Sequence, residues 1–397
     1  MRTIPSIVFL LTLVLLPISR GQLTDHIDWP TFMARHDLVW TKMPEEWGQG
    51  AFQGNGQLGA MIFAGPGNSL DWRIGRTDVV FAEARLPIGD LYLHPVGKIQ
   101  SCSMRLDLWN AEVTGTLKTD AGQIRFRSFT HASQMVQAIE LIPTEGEAQF
   151  KFAWAPGEAV DPRLLVKKTP LTEKDKNPAP VQSQNGNIFL SSQSLQSGGG
   201  HVTAWKQITR PDGHVWLLLA VGYSSKDINE ARAEATSDLS KAEATGFDAL
   251  AATHRDWWHH YYPESFLSIP DTRLESFYWI QMYKLASATR ADRPAIDLMG
   301  PWFAPTPWPK IWWNLNLQLT YWPVLTSNRL ELGESLCRML DRGAANLAKN
   351  AGEYSSDSAT IGRSSSYDCL REAGPELCNL PWTMHNYYLQ YRYSMDD

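Results

Sequence analysis

At 397 residues, 43% hydrophobic and 20% charged, the chain is long enough for two or three domains around a sizeable core and too apolar to be disordered. A net charge of −6 gives no footing for nucleic acid or for an anionic membrane surface. The composition leans instead towards aromatic residues, with 17 Trp, 13 Tyr and 14 Phe. An indole offers a flat apolar face and one N–H donor, which suits the C–H face and hydroxyl rim of a sugar, although core packing explains any single Trp equally well.

In chain order, residues 1–21 read as a secretory signal. Arg2 supplies the positive start, the apolar run Ile7 to Leu16 is too short to span a bilayer, and Ser19-Arg20-Gly21 sets small residues around a cleavage before Gln22. No later apolar stretch is long enough to cross a membrane, so the expected location is secreted or periplasmic. Disulfides are possible there. Of the four cysteines, Cys102, Cys337, Cys369 and Cys378, the last two share a polar loop and are the candidate pair. Zinc-type spacing is absent, and no metal or other cofactor is expected.

From Trp40 to Tyr223 short apolar runs alternate with turn signals: Gly54-Asn55-Gly56, Gly65-Pro66-Gly67, Asn185-Gly186 and Asp212-Gly213. Period-two alternation in Gln123–Phe129 and Ala148–Trp154 completes the case for a β-sandwich over 30–223, with the charged Lys167–Gln184 stretch as a surface excursion. Asp227 to His260 reads as one helix, interrupted only by Gly246 and ended by Pro263, within a helical linker over 224–270. Its His254, His259 and His260 lack the spacing and carboxylate company of a metal site, and read as an aromatic helix end wedged between domains. Beyond Asp271 helices are expected over Leu274–Thr289, Glu331–Asn350 and Leu380–Tyr393. The Pro- and Trp-rich segment Ala291–Asn328 is too long for a linker and reads as a binding loop; Ala351–Asn379 is a second long loop.

The densest signal is Ile311-Trp-Trp-Asn-Leu-Asn-Leu-Gln-Leu-Thr-Tyr-Trp322. Pro323 follows it, and proline is comfortable in the first turn of a helix, so a helix is expected to start at Thr320 to Trp322 with extended chain before it. Extended chain puts Asn314, Asn316 and Gln318 on one face and Leu315, Leu317 and Leu319 on the other. Trp302, Trp308, Trp312, Trp313 and Trp322 would wall the same pocket. In a helix, residues two apart would instead diverge by about 200°.

The segments Ser287-Ala-Thr-Arg290, Asp297-Leu-Met-Gly-Pro-Trp302 and Trp313–Trp322, with Phe52-Gln-Gly-Asn-Gly-Gln-Leu-Gly-Ala-Met61 far upstream, resemble glycoside hydrolase family 95. That family has Arg, then Asn-Leu-Gln-Gly-x-Trp, then Asn-x-Asn-x-Gln-Met-Asn-Tyr-Trp, and an N-terminal Gly-Asn-Gly-x-Leu-Gly-Ala-Met. Asp297 and Thr320 stand where the family has Asn, and Asp71–Asp78 departs from its Glu-containing strand, which points to a related branch. The resemblance implies an N-terminal β-supersandwich, a helical linker, and an (α/α)6 barrel beginning at 271. The implied activity is inverting, α-L-fucosidase-like hydrolysis of an O-glycosidic bond. Inversion needs a general acid and a base-activated water, their carboxyl groups about 6.5–9.5 Å apart. The resemblance makes Asn314 and Asn316 the water-positioning pair. Gln318, Arg290, Asp297 and the five tryptophans become sugar-binding residues.

Only about four of twelve barrel helices are expected before Asp397, and the family's acid Glu and partner Asp lie further along the barrel. The chain therefore reads as the N-terminal part of an exported glycoside hydrolase, with a carbohydrate substrate and no turnover of its own. The other readings are a non-catalytic carbohydrate-binding protein and, more weakly, a scaffold without a ligand.

Overall fold

The structure is a computed structural model that describes residues 26–352, 357–371, 373–374 and 376–396; the signal-peptide expectation for 1–21 lies outside them. Two antiparallel sheets pack face to face. The larger has nine strands, in spatial order Leu38–Trp40, Ile99–Asp107, Glu112–Thr119, Gln123–Thr130, Val136–Pro143, Val215–Ser224, Gly200–Thr209, Ile188–Ser194 and Val181–Asn185. The smaller has five: Lys151–Pro156, Gly89–His94, Ser69–Arg76, Leu58–Gly65 and Ala51–Gly54. The alternation read from sequence selects the inner faces. Met104, Leu117, Phe126 and Ile139 meet Ile62, Trp72, Leu91 and Leu93 in one core. Trp72 packs edge-on to Phe126 and donates its indole N–H to Ser128 Oγ at 3.0 Å.

Among the described residues eight helices accompany the strands: α1 (Trp29–Met33), α2 (Pro162–Val166), α3 (Ile228–Thr245), α4 (Phe247–Tyr261), α5 (Thr272–Ala288), α6 (Asn316–Thr326), α7 (Glu334–Asn350) and α8 (Asn379–Ser394). A large antiparallel β-sandwich followed by helices is the architecture expected, and the helical part is consistent with the start of an α/α barrel. The helix expected over Asp227–His260 is two helices. Gly246, at φ +79°, ends α3 and opens α4, and the chain bends there. α3 and α4 cover one half of the outer face of the nine-stranded sheet, where Ala231, Ala235, Leu239 and Ala242 pack on Val202, Ala204, Leu218 and Ala220. Two of the three histidines of α4 face the sandwich, while His260 is exposed: His259 meets Asn110 Oδ1 at 3.1 Å, and His254 accepts from Ala132 N at 3.0 Å and donates from Nε2 to Ala111 O at 3.1 Å, with burial lowering its pKa well below the usual value. The candidate disulfide is not formed. Cys369 is buried beneath α7 and Cys378 is exposed at the start of α8, both as free thiols.

Opposite Trp72 on its strand lies Asp71, 1% exposed, with Asp90 on the neighbouring strand and Arg73 at 3.9 Å. Burial, reinforced by the Asp90 charge, pushes its pKa up to about 8. The folded chain therefore holds a proton that the unfolded chain, with an Asp pKa of about 3.9, releases. Its contribution to stability is present below that value and is lost as the pH rises towards about 8. The substitution Asp71→Asn is expected to raise stability most at pH 8–9 and least near pH 4, which urea denaturation across that range measures. A wild-type advantage that grows with pH would contradict it.

Candidate functional site

The site is built on a seam between the five-stranded sheet and the segment that follows α5. Asp271 caps α5, accepting from Arg273 N and Leu274 N at 3.0 and 3.1 Å. The far end of α5 runs along the hairpin of Ala51–Gly54 and Leu58–Gly65. Tyr283 donates its hydroxyl to Phe52 O at 2.9 Å, and Gly56 N donates to Ser287 O at 2.8 Å. Trp302 returns an indole N–H to Gln53 O at 2.8 Å. Pro301 lies so close over the sheet that a Cβ on Gly75 would stand 2.0 Å from its carbonyl oxygen. A Cβ on Gly54 would stand 2.5 Å from Ser287 O. No side chain fits at either point, so glycine is required by proximity rather than by dihedral angle. Asn55 ties the hairpin turn to the nine-stranded sheet, donating to His131 O and Gln134 O at 3.0 and 3.1 Å while accepting from Leu58 N at 2.9 Å.

Asp297 shapes the loop beyond. Its Oδ1 accepts from Met299 N and Gly300 N at 2.7 and 2.8 Å. Its Oδ2 lies 3.1 Å from Arg85 Nη1, and Arg85 also donates to the Gly300 carbonyl. Both side chains of this ion pair are almost fully buried. Arg290 is a structural cation too. Its guanidinium stacks 3.3 Å from the Trp257 ring centre and donates to Ala132 O at 3.1 Å, and burial pushes its pKa down to about 9.

Between α5, the 296–306 loop and α6 lies a cleft of about 950 Å³. Tyr278, Gln281 and Lys284 of α5 line one side, Asp297, Met299 and Trp302 the floor, and Asn316, Thr320, Pro323 and Ser327 the other side. The last four recur at helical spacing because α6 begins at Asn316, earlier than the expected Thr320 to Trp322. Leu315, in a left-handed conformation at φ +62°, turns the chain into the helix. Pro323 sits inside α6. The i−4 carbonyl that loses its donor belongs to Leu319, on a half-exposed position where water can replace it.

This early start overturns the expected face of three amides. Asn316 and Gln318 diverge by about 200° on a helix. Asn316 is exposed and lines the cleft. Gln318 is fully buried against α8, its side-chain amide donating to Thr383 Oγ1 at 3.1 Å and its backbone carbonyl accepting from Asn386 Nδ2 at 2.9 Å. Asn314, before the helix, is exposed and is not part of the cleft wall. The expected tryptophan wall is likewise dispersed. Trp302 lines the cleft, Trp313 is a core residue hydrogen-bonded to Ser365 Oγ at 2.8 Å, and Trp308 is exposed beside the half-buried Trp312. Trp322 is 41% exposed and faces Trp382. Of the expected site residues, the structure brings Asn316, Asp297 and Trp302 to one cavity. Sequence reasoning misses the α5 contribution, although Tyr278, Gln281, Leu285 and Ala288 recur along one helical face.

No protein-family model matches the chain, and no curated protein matches it. A solved structure of a candidate kojibiose phosphorylase from the human microbiome is similar in fold, with a TM-score of 0.58 and 12% identity over 86% of this chain and 51% of that one. The chain thus spans about half the length of that structure. A second solved structure, the di-domain ARO/CYC StfQ from the steffimycin biosynthetic pathway, aligns at a TM-score of 0.13 and carries no argument. The likeness reaches no further than fold, and it does not single out family 95.

Because Asp297 and Arg85 are a buried pair, removing one partner strands the other charge. Asp297→Ala is expected to cost about 3 kcal/mol in urea denaturation, and the double change Asp297→Leu with Arg85→Met clearly less. Equal losses in the two variants would show that the pair is not coupled.

Proposed function

We propose that the cleft between α5, the 296–306 loop and α6 binds carbohydrate. On this reading the chain supplies the sandwich and first barrel helices of an exported glycoside hydrolase of the inverting, α-L-fucosidase-like kind. The observation that carries the sugar reading is the make-up of the cleft. Trp302, Tyr278 and Phe277 give apolar surface, and Gln281, Asn316, Thr320 and Lys284 give hydrogen-bonding groups around it. That combination suits a ring with an apolar face and a hydroxyl rim. The fold shared with a candidate glycoside phosphorylase supports the class of chemistry. Asn316 is the amide placed to orient a water, since its carbonyl oxygen accepts a hydrogen bond but is too weakly basic to take the proton. Secretion or periplasmic location rests on the 1–21 segment alone.

Hydrolysis with inversion needs two carboxyl groups in the cleft. Among the described residues lining it, Asp297 is the one carboxylate, and its oxygens are occupied by Arg85, Met299 N and Gly300 N. On this reading the general acid and the base come from outside this cleft wall, and the 397 residues alone are expected to bind sugar without cleaving it. The same observation favours a second reading, a non-catalytic carbohydrate-binding protein.

The test is to assay the purified 397-residue chain on aryl glycosides and fucosylated oligosaccharides, and to titrate the same sugars calorimetrically. No turnover is expected, with binding that weakens about tenfold in Asn316→Ala or Gln281→Ala, the loss of roughly one buried hydrogen bond. Turnover would show that the acid is within the chain. Binding unchanged by both substitutions would remove the cleft as the site.

A further inference from the structure

The cleft has more room than its hydrogen-bonding groups can serve. Its volume, about 950 Å³, lies near the top of the ~300–1,000 Å³ range of pockets that take drug-sized ligands. A single sugar ring leaves much of that space empty. The polar lining is thin by comparison. Asp297 is occupied by Arg85, Met299 N and Gly300 N. Thr320 and Thr326 donate their hydroxyls to Asn316 O and Pro323 O at 2.7 and 3.4 Å, and Thr306 accepts from Trp308 N at 3.1 Å. The Ser327 hydroxyl and the Trp47 indole N–H are buried away from solvent. Among the described residues of the lining, the side-chain groups that remain open and without a hydrogen bond are Gln281, Lys284, Asn316 and the Tyr278 hydroxyl. That inventory matches the hydroxyls of one ring. A second or third ring would set further hydroxyls against apolar side chains, each one left unpaired weakening binding by about tenfold.

The polar and apolar groups are also segregated. Ser265 Oγ donates to Ser327 O at 2.6 Å and Asn328 Nδ2 to Glu264 O at 3.0 Å, which ties the turn before α5 to the end of α6. Beyond α5, Ile296 N donates to the Tyr321 hydroxyl at 3.0 Å, in the middle of α6. The two helices thus line the cleft in opposite directions. Gln281 and Lys284 lie towards Asn316, with Trp302 beside them: Lys284 Nζ is 5.8 Å from the centre of the Phe52 ring, which packs edge-on to Trp302. Phe277 and Tyr278 lie towards Pro323. That end is apolar yet open to water. Phe277 is 61% exposed and Leu274, one turn before it, 58%, whereas Glu275 between them in sequence is buried. A helix that buries its acid and leaves a leucine and a phenylalanine in solvent presents an apolar ledge that the core does not use.

We propose that the cleft takes a glycoside whose sugar carries an apolar aglycone. One sugar ring lies on Trp302 within reach of Gln281, Lys284 and Asn316, and the aglycone runs along Phe277, Tyr278 and Pro323. Taking the aglycone out of water supplies affinity without any polar partner, and the sugar end fixes orientation. The proposal names the substrate class of the cleft already described, and rests on the carbohydrate reading of it.

The experiment is calorimetric titration of the full chain with the methyl, hexyl and phenyl glycosides of L-fucose and of D-glucose, and with 1-hexanol. The hexyl or the phenyl glycoside is expected to bind about thirtyfold more tightly than the methyl glycoside of the same sugar, the equivalent of roughly two or three buried methylene groups. A larger gain for hexyl assigns an alkyl aglycone and a larger gain for phenyl an aryl one, and either upholds the proposal. Phe277→Ala should cut the ratio to the methyl glycoside about fivefold, and because Phe277 is exposed the variant should melt as the wild type does. Asn316→Ala should weaken every glycoside about tenfold and leave that ratio as it was. If the methyl glycosides bind and neither larger group improves on them, the aglycone is overturned while the sugar reading of the cleft stands. A ratio unmoved by Phe277→Ala overturns the proposal as well. Hexanol binding as tightly as the hexyl glycoside, glycoside binding indifferent to Asn316→Ala, or no binding at all would remove the sugar from the cleft and both readings with it.

Discussion

The cleft depends on a backbone-to-backbone approach, the seam where Ser287 to Trp302 lies on the 51–76 region of the small sheet. Gly54 and Gly75 leave room for Ser287 O and the Pro301 carbonyl to come closer than any Cβ allows. Once that approach is made, Gly56 N, Phe52 O and Gln53 O find their partners in the helical half of the molecule. The buried Asp297–Arg85 pair then fixes the loop that forms the cleft floor. A sandwich and a set of helices thereby share one core rather than being joined by a tether.

The two motifs that carry the family resemblance are the two sides of this seam. The sequence places Phe52–Met61 and Ser287–Trp302 far apart, and a reading by motif takes the second as a sugar site and the first as a signature without a task. In the fold both are first of all docking elements. Arg290, read as a substrate ligand, is instead the cation stacked on Trp257 that links α4 to the 131–134 turn. A pattern kept for interdomain docking and a pattern kept for substrate binding look alike in a sequence, because both demand fixed glycines, amides and indoles at fixed spacing.

The sandwich is legible in the sequence because its turns are written in Gly, Asn and Asp and its strands in strict alternation; Gln123–Phe129 is a strand with the expected faces. The helices α5 and α7 are legible as apolar stripes, whereas α8 falls where a helix is expected although the face it buries is Asn379, Thr383, Asn386 and Gln390. The start of α6 is not. Pro323 argues for a late start, and nothing local announces that Leu315 will take a left-handed turn. That one difference of helix phase decides the site, because it moves Gln318 from the cleft to the α8 interface and leaves Asn316 facing the cleft alone. Gly246 is visible as an interruption, but only the packing of α4 across the sheet shows it to be a true break.

Hydrogen–deuterium exchange on wild type and on Gly75→Ala tests the seam most directly, since the added methyl meets the Pro301 carbonyl and has nowhere to go. If the seam builds the cleft, exchange should rise in 287–302 while the strands of the nine-stranded sheet keep their protection. Unchanged protection across 287–302 would mean that the loop holds its shape without the glycine contact, and that the cleft owes its form to something other than the seam.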